Sequence, residues 1–166
     1  MNDLSLRDGA RIVGTVRVYS HPVGTDFRTH GKLEVEQKNI LMQSPNHGLD
    51  LFIQALIGIT TYPLTLSFAE IGTGATTPTT MDTALTAPTN RAAVTFQQDY
   101  GSTDCILNFI FSDSQLANET YYEFGVFSGG TSTIASGQLF NHALFSTPYV
   151  KTSGQDTTVQ CDFSFS

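Results

Sequence analysis

Tryptophan is absent from the 166-residue chain, cysteine occurs twice, and charged side chains make up only 14% of it. Each scarcity removes a class of function. Two cysteines, Cys105 and Cys161, each on the apolar face of an alternating segment, read as small buried hydrophobes. A disulfide between them is open if their strands are neighbours, though cytosolic synthesis argues against it. Without clustered histidines they do not make a zinc site. Lys and Arg total 8 against 15 Asp and Glu, a net charge of −7. The scattered cations form no basic stripe of the kind that displaces counterions from phosphates, so nucleic acid is not an expected partner. Long apolar runs are missing too. Residues 49–59 are only partly apolar and too short to span a bilayer, so no membrane association is expected. The start of the chain has no basic region leading into an apolar stretch, which reads as a soluble protein made in the cytoplasm.

Catalytic signatures are also lacking. No Gly-x-Ser-x-Gly turn is present to raise a serine nucleophile. His21, His30, His47 and His142 fall in separate segments without metal-ligand spacing. Gly72-Thr73-Gly74 lacks the third glycine and the following helix of a phosphate loop, and reads as a strand exit whose glycines permit unusual backbone angles. Asp99, Asp104, Asp113, Glu119 and Glu123 read as solvated turn residues. The expectation is a non-enzyme with no catalytic residue, no metal and no cofactor.

What the chain does contain is Thr, Ser, Gly and 12 Phe, a mixture suited to strands and turns. Ile12, Gly14, Val16 and Val18 alternate with Val13, Thr15, Arg17 and Tyr19. Leu33 and Val35 alternate with Glu34, Glu36 and Lys38. The two segments predict a hairpin over about residues 10–42. Leu49, Phe52, Ile53, Leu56 and Ile57 recur at helical spacing, which predicts one short helix over about 45–58. Ser44 is its expected cap, Pro45 its first residue and Gly58 its terminator. Alternating segments then fill 64–166. About eight strands with one helix predict a single antiparallel β-sandwich domain over 1–166, jelly-roll-like or immunoglobulin-like.

Residues 72–90 form a Thr-rich polar loop too long for a plain connector. Within it Gly72, Thr73, Gly74, Thr76, Thr77, Pro78, Thr79 and Thr80 are the candidate assembly-contact residues. Tyr121 and Phe127 are candidate interface aromatics.

Three stretches carry a family resemblance. The first is Lys38-Asn39-Ile40-Leu41-Met42 running into Gly48-Leu49-Asp50-Leu51-Phe52. The second is Ala69-Glu70-Ile71-Gly72-Thr73-Gly74-Ala75-Thr76-Thr77-Pro78 with Asp82-Thr83-Ala84-Leu85. The third is Tyr122-Glu123-Phe124-Gly125-Val126-Phe127, then Leu144-Phe145, Lys151-Thr152 and the alternating residues 157–165. In this order, across most of 33–166, they resemble small tail-fibre-like or decoration-type structural proteins of tailed bacteriophages. The resemblance implies a virion protein, made in the host cytoplasm, that contacts capsid or tail partners through loops and strand edges. Symmetric copies, a trimer or dimer, follow from such a role. The alternative is a receptor- or carbohydrate-binding tail fibre module, with Tyr100, Tyr121 and Tyr149 as sugar platforms.

Overall fold

A computed structural model describes residues 12–165. The strands are β1 (Ile12–Pro22), β2 (Lys32–Lys38), β3 (Ile40–Leu41), β4 (Leu66–Gly72), β5 (Pro88–Tyr100), β6 (Asp104–Phe111), β7 (Thr120–Ser128), β8 (Gln138–Val150) and β9 (Gln155–Phe165). Two helices, α1 (Phe27–His30) and α2 (Leu49–Leu56), interrupt them. All pairings are antiparallel, and they run in one continuous order, β2-β1-β9-β6-β5-β4-β7-β8-β3.

This order corrects the expected sandwich. The nine strands make a single sheet nearly closed into a barrel, not two stacked sheets. Two segments carry the sheet around its corners. Along β5, Asn90 to Ala93 pair with β4, and from Val94 onward the strand pairs with β6, with a bulge between Val94 and Phe96. Bulges bend a strand and sharpen its twist, which is how a sheet turns a corner. At the other corner β2 pairs with β1, and β3, after the single residue Asn39, pairs with β8. The two edges of the sheet are therefore one extended segment. Gln37 Oε1 accepts from the Ser146 backbone N–H of β8 at 3.0 Å, and Asn39 N–H donates to Gly14 O at 3.1 Å. The Asn39 side chain packs directly over Gly14, where a Cβ would have to displace it.

The barrel interior holds Val16, Val18, Ile71, Phe109, Phe111, Phe124, Val126, Val159 and Phe163 among its buried side chains. These are the alternate residues of each strand, as period-two patterning requires. Cys161 lies there fully buried, and burial pushes its thiol pKa well up. Cys105 and Cys161 occupy adjacent strands but offset registers, Cys105 opposite Phe163 and Cys161 opposite Leu107, and both are free thiols.

A second, smaller cluster lies on the opposite face of the sheet. Phe127 and Leu139 are buried there beneath Met42 and Leu85, with Ile40 and Phe68 packed alongside. The outer face of β4, β7 and β8 is thus roofed, by the 42–48 segment and by the loop of residues 73–87.

The helix departs from expectation at its start. It begins at Leu49, with Gly48 as N-cap and no side-chain cap bond. Ser44 instead donates to Asp82 O at 3.2 Å. Gly58 does take the left-handed backbone, φ 78. The buried residue of the helix is Leu51, outside the expected apolar stripe. Of the stripe, Phe52 lies 6.2 Å from the Phe165 ring, whereas Leu56 and Ile57 are 72% and 67% exposed. The other helix, α1, was not expected from the sequence. Asp26 caps it by accepting from Arg28 N–H at 2.9 Å.

Candidate functional site: a pinned loop on the roofed face

The loop between β4 and β5 is held down by polar bonds at both ends. Its central anchor is Glu123 of β7, a carboxylate with 0% exposure. Oε1 accepts from the backbone N–H of Ala87 at 2.6 Å and of Gly74 at 3.1 Å, and Oε2 accepts from that of Thr86 at 2.9 Å. On β8, His142 places Nε2 2.9 Å from Glu123 Oε2 and Nδ1 3.0 Å from Asp82 Oδ2. Asp82 in turn accepts from Thr79 N–H at 3.0 Å and from Thr79 Oγ1 at 2.7 Å. The loop therefore closes on the barrel through Glu123, His142 and Asp82. It is also tied laterally, since Gln43 N–H donates to Thr80 O at 2.6 Å.

Burial alone would raise the Glu123 pKa. The His142 hydrogen bond and the Ala87 and Thr86 backbone donors outweigh it and hold the carboxyl below its ordinary value. Asp82 follows the same balance. Desolvation opposes ionisation, while the Thr79 side-chain and backbone donors and His142 favour it, for a net lowering. Both ring nitrogens of His142 face carboxylate oxygens, so each is engaged within the cluster.

The Asp82-His142-Glu123 constellation is engaged in holding the loop backbone. Both imidazole nitrogens are taken up by carboxylates of the cluster. His142 is 1% exposed and Glu123 is sealed. Among the described residues, no group of three or more His, Cys, Asp or Glu is arranged to hold a metal ion. The arrangement fixes backbone at both ends of the loop.

The two glycines of Gly72-Thr73-Gly74 serve this anchor. Neither has a positive φ, contrary to the expectation that they permit unusual backbone angles. A Cβ on Gly72 would lie 2.7 Å from Glu123 Oε1 and 2.5 Å from Ala87 O, and one on Gly74 would also strike that carboxylate. They are glycine to make room for it.

Of the candidate contact residues, Gly72 and Gly74 are buried, Thr73 and Pro78 are half-buried, and Thr76, Thr77, Thr79 and Thr80 are exposed. The exposed tip continues to Met81, 60% exposed. Thr77 and Pro78 border a groove of about 210 Å³ whose other wall is Gln37, Lys38 and Ile40 at the barrel seam. Tyr121 and Phe127 both have 0% exposure. Tyr121 lies in the interior, its hydroxyl donating to Ala117 O at 3.0 Å, and Phe127 lies in the roofed cluster. Tyr149 is buried as well, leaving Tyr100, at 59% exposure, as the accessible member of the three tyrosines named as sugar platforms.

Beside the pinned loop, Arg91 of β5 is a second anchor. Its Cζ lies 4.7 Å from the ring centroids of both Phe68 and Phe127, and Nη1 donates to Glu70 Oε1 at 2.6 Å. The remaining guanidinium donors reach Thr131 O and Ser136 O, fixing the β7–β8 connection. Glu70 also accepts from Ala135 N–H at 2.6 Å.

Comparison adds no identity. No protein-family model, no curated protein and no solved structure matches the chain.

Glu123 and His142 are what sequence reading missed. Glu123 looked like a solvated acid beside a turn. The signal that marks it as buried was its place inside Tyr122-Glu123-Phe124-Gly125-Val126-Phe127, where no residue on either face is strongly hydrophilic except itself.

Proposed function

We propose that this chain is a non-enzymatic structural protein of a tailed-phage virion that docks onto capsid or tail through the loop of residues 73–87. One observation carries the reading. The loop is exposed at its tip, yet its ends are fixed by a buried carboxylate that accepts from three backbone N–H groups and is bonded to the His142 imidazole. A loop ordered before binding loses little conformational entropy on docking, so its contacts count in full toward affinity.

Near-closure of the barrel narrows the route. A closed sheet leaves few free strand edges for β-augmentation. Loop and seam, rather than strand edges, are the docking elements. The virion setting itself is supported by the resemblance across 33–166.

The test uses the particles produced by the genome that encodes the chain. Mass spectrometry of purified particles should find the protein. A variant carrying Thr76→Arg and Thr77→Arg, both at exposed positions, should fold normally and be depleted from those particles. Absence of the wild-type chain from particles would refute the virion role, and full occupancy by the variant would refute the loop as the contact.

A further inference from the structure

On the opposite side of the barrel, away from the pinned loop, the outer face of β1, β9, β6 and β5 carries a cleft of about 270 Å³. Its floor is polar. His21 from β1, Thr158 from β9 and Asn108 from β6 are each 3% exposed or less. His21 Nε2 and Thr158 Oγ1 are 2.9 Å apart, and Asn108 Oδ1 accepts from Gln160 Nε2 at 3.2 Å. Asn108 lines the cleft together with Thr158 and Ile110. Thr95, displaced by the β5 bulge, and Phe96, the cross-strand partner of Asn108, form one side. The short helix α1 forms the other with Phe27 and Arg28, and Asp26 stands at its rim. Arg28 spans the mouth, its Cζ 5.1 Å from the Phe27 ring and 5.0 Å from the Phe96 ring.

Polar side chains on the outside of a sheet, gathered at the floor of a cleft, offer donors and acceptors to whatever enters it. The chemistry of the cleft selects its occupant. An apolar ligand would offer the Asn108 amide no partner. A simple anion would meet Arg28 but also the Asp26 carboxylate. A polyol hydroxyl both donates and accepts, so a ring of hydroxyls can use amide, carboxylate, guanidinium and threonine together, while its C–H face rests against an aromatic edge. The volume suits one hexose. We propose that this cleft is a saccharide-binding site that holds a single monosaccharide unit of a glycan, with Asn108, Asp26 and Arg28 bonding its hydroxyls and its C–H face resting against the edge of the Phe27–Arg28–Phe96 stack. This goes beyond the docking role and does not depend on it.

The full chain is tested by saturation-transfer NMR and amide-shift mapping against methyl glycosides of glucose, galactose and mannose and against N-acetylglucosamine, with acetate and inorganic phosphate as anion probes. At least one sugar should bind, with shifts confined to residues 25–28 and to Thr95, Phe96, Asn108 and Thr158. Phe96→Ala and Asn108→Ala should each weaken binding by about tenfold or more. Phe96 is 36% exposed, so its truncation leaves a folded protein to measure even where the Asn108 variant is destabilised. Binding of none of the sugars, of the anions alone, of a sugar with shifts elsewhere, or unchanged affinity in Phe96→Ala would each overturn the assignment.

Discussion

His142 and Glu123 stand on neighbouring strands, diagonal across the β7–β8 ladder, and join Nε2 to Oε2 at 2.9 Å under a loop to which neither belongs. That contact turns an otherwise polar, Thr-rich connection into a fixed part of the barrel surface. Removing its carboxylate should be costly, because three backbone donors lose their acceptor at once. Glu123→Ala is expected to destabilise the protein by about 3–5 kcal/mol, as for breaking a buried charged network. Urea unfolding measures it. A loss under about 1 kcal/mol would mean that the loop is held by other contacts.

Acid should loosen the same anchor. Glu123 and Asp82 have folded pKa values below their ordinary 4.5 and 3.8. A depressed carboxylate contributes stability that is fully present above its unfolded value and is lost as pH falls through the folded value. Stability should therefore decline as pH drops below about 4.5 and continue down past about 3.8. The decline should be shallower in Glu123→Gln. Thermal unfolding across that range tests it, and parallel curves for the two proteins would contradict it.

Arg91 offers a separate test of the roofed face. Its side chain and that of Glu70 are 1% and 0% exposed. Arg91→Ala leaves Glu70 buried without its cation and should cost about 3–5 kcal/mol. Arg91→Lys keeps the charge but loses the planar fork that also reaches Thr131 O and Ser136 O, so an intermediate loss is expected. Denaturant midpoints rank the three proteins, and equal midpoints for Lys and wild type would show that the stacking and fork are dispensable.

Phe127 was a candidate interface aromatic and is enclosed by Met42, Leu85 and Leu139. Phe127→Ala should destabilise the isolated protein by about 3–5 kcal/mol, the range for emptying a packed aromatic site. An interface residue exposed in the free chain would leave stability unchanged on truncation. Chemical denaturation separates the two outcomes.

Much of the strand content was legible because one face of each strand is oily. Val16, Val18, Phe109, Phe111, Val159 and Phe163 alternate in sequence and line the interior. The β1–β2 hairpin was legible for the same reason. Closure was not, since alternation assigns faces and says nothing of whether a sheet stacks or curls. The deciding features are the β5 bulge at Val94 and Phe96 and the handover at Asn39, which switches partners within one extended segment. Helical spacing found α2 but misjudged its surroundings, because Leu56 and Ile57 face outward. On β7 both faces are covered, so Glu123 sits among aromatic and aliphatic neighbours and alternation loses its meaning. The anchor joins residues far apart in the chain, Asp82, Glu123 and His142. No local pattern could have united them.

Backbone amide hydrogen exchange at Gly74, Thr86 and Ala87 tests the pinned loop most directly. In the wild-type protein these amides should exchange slowly, like those of the adjoining strands. In Glu123→Ala they should become fast while the β1–β9 and β6–β9 ladders stay protected. Fast exchange at all three in the wild type would show an unanchored loop and contradict the account.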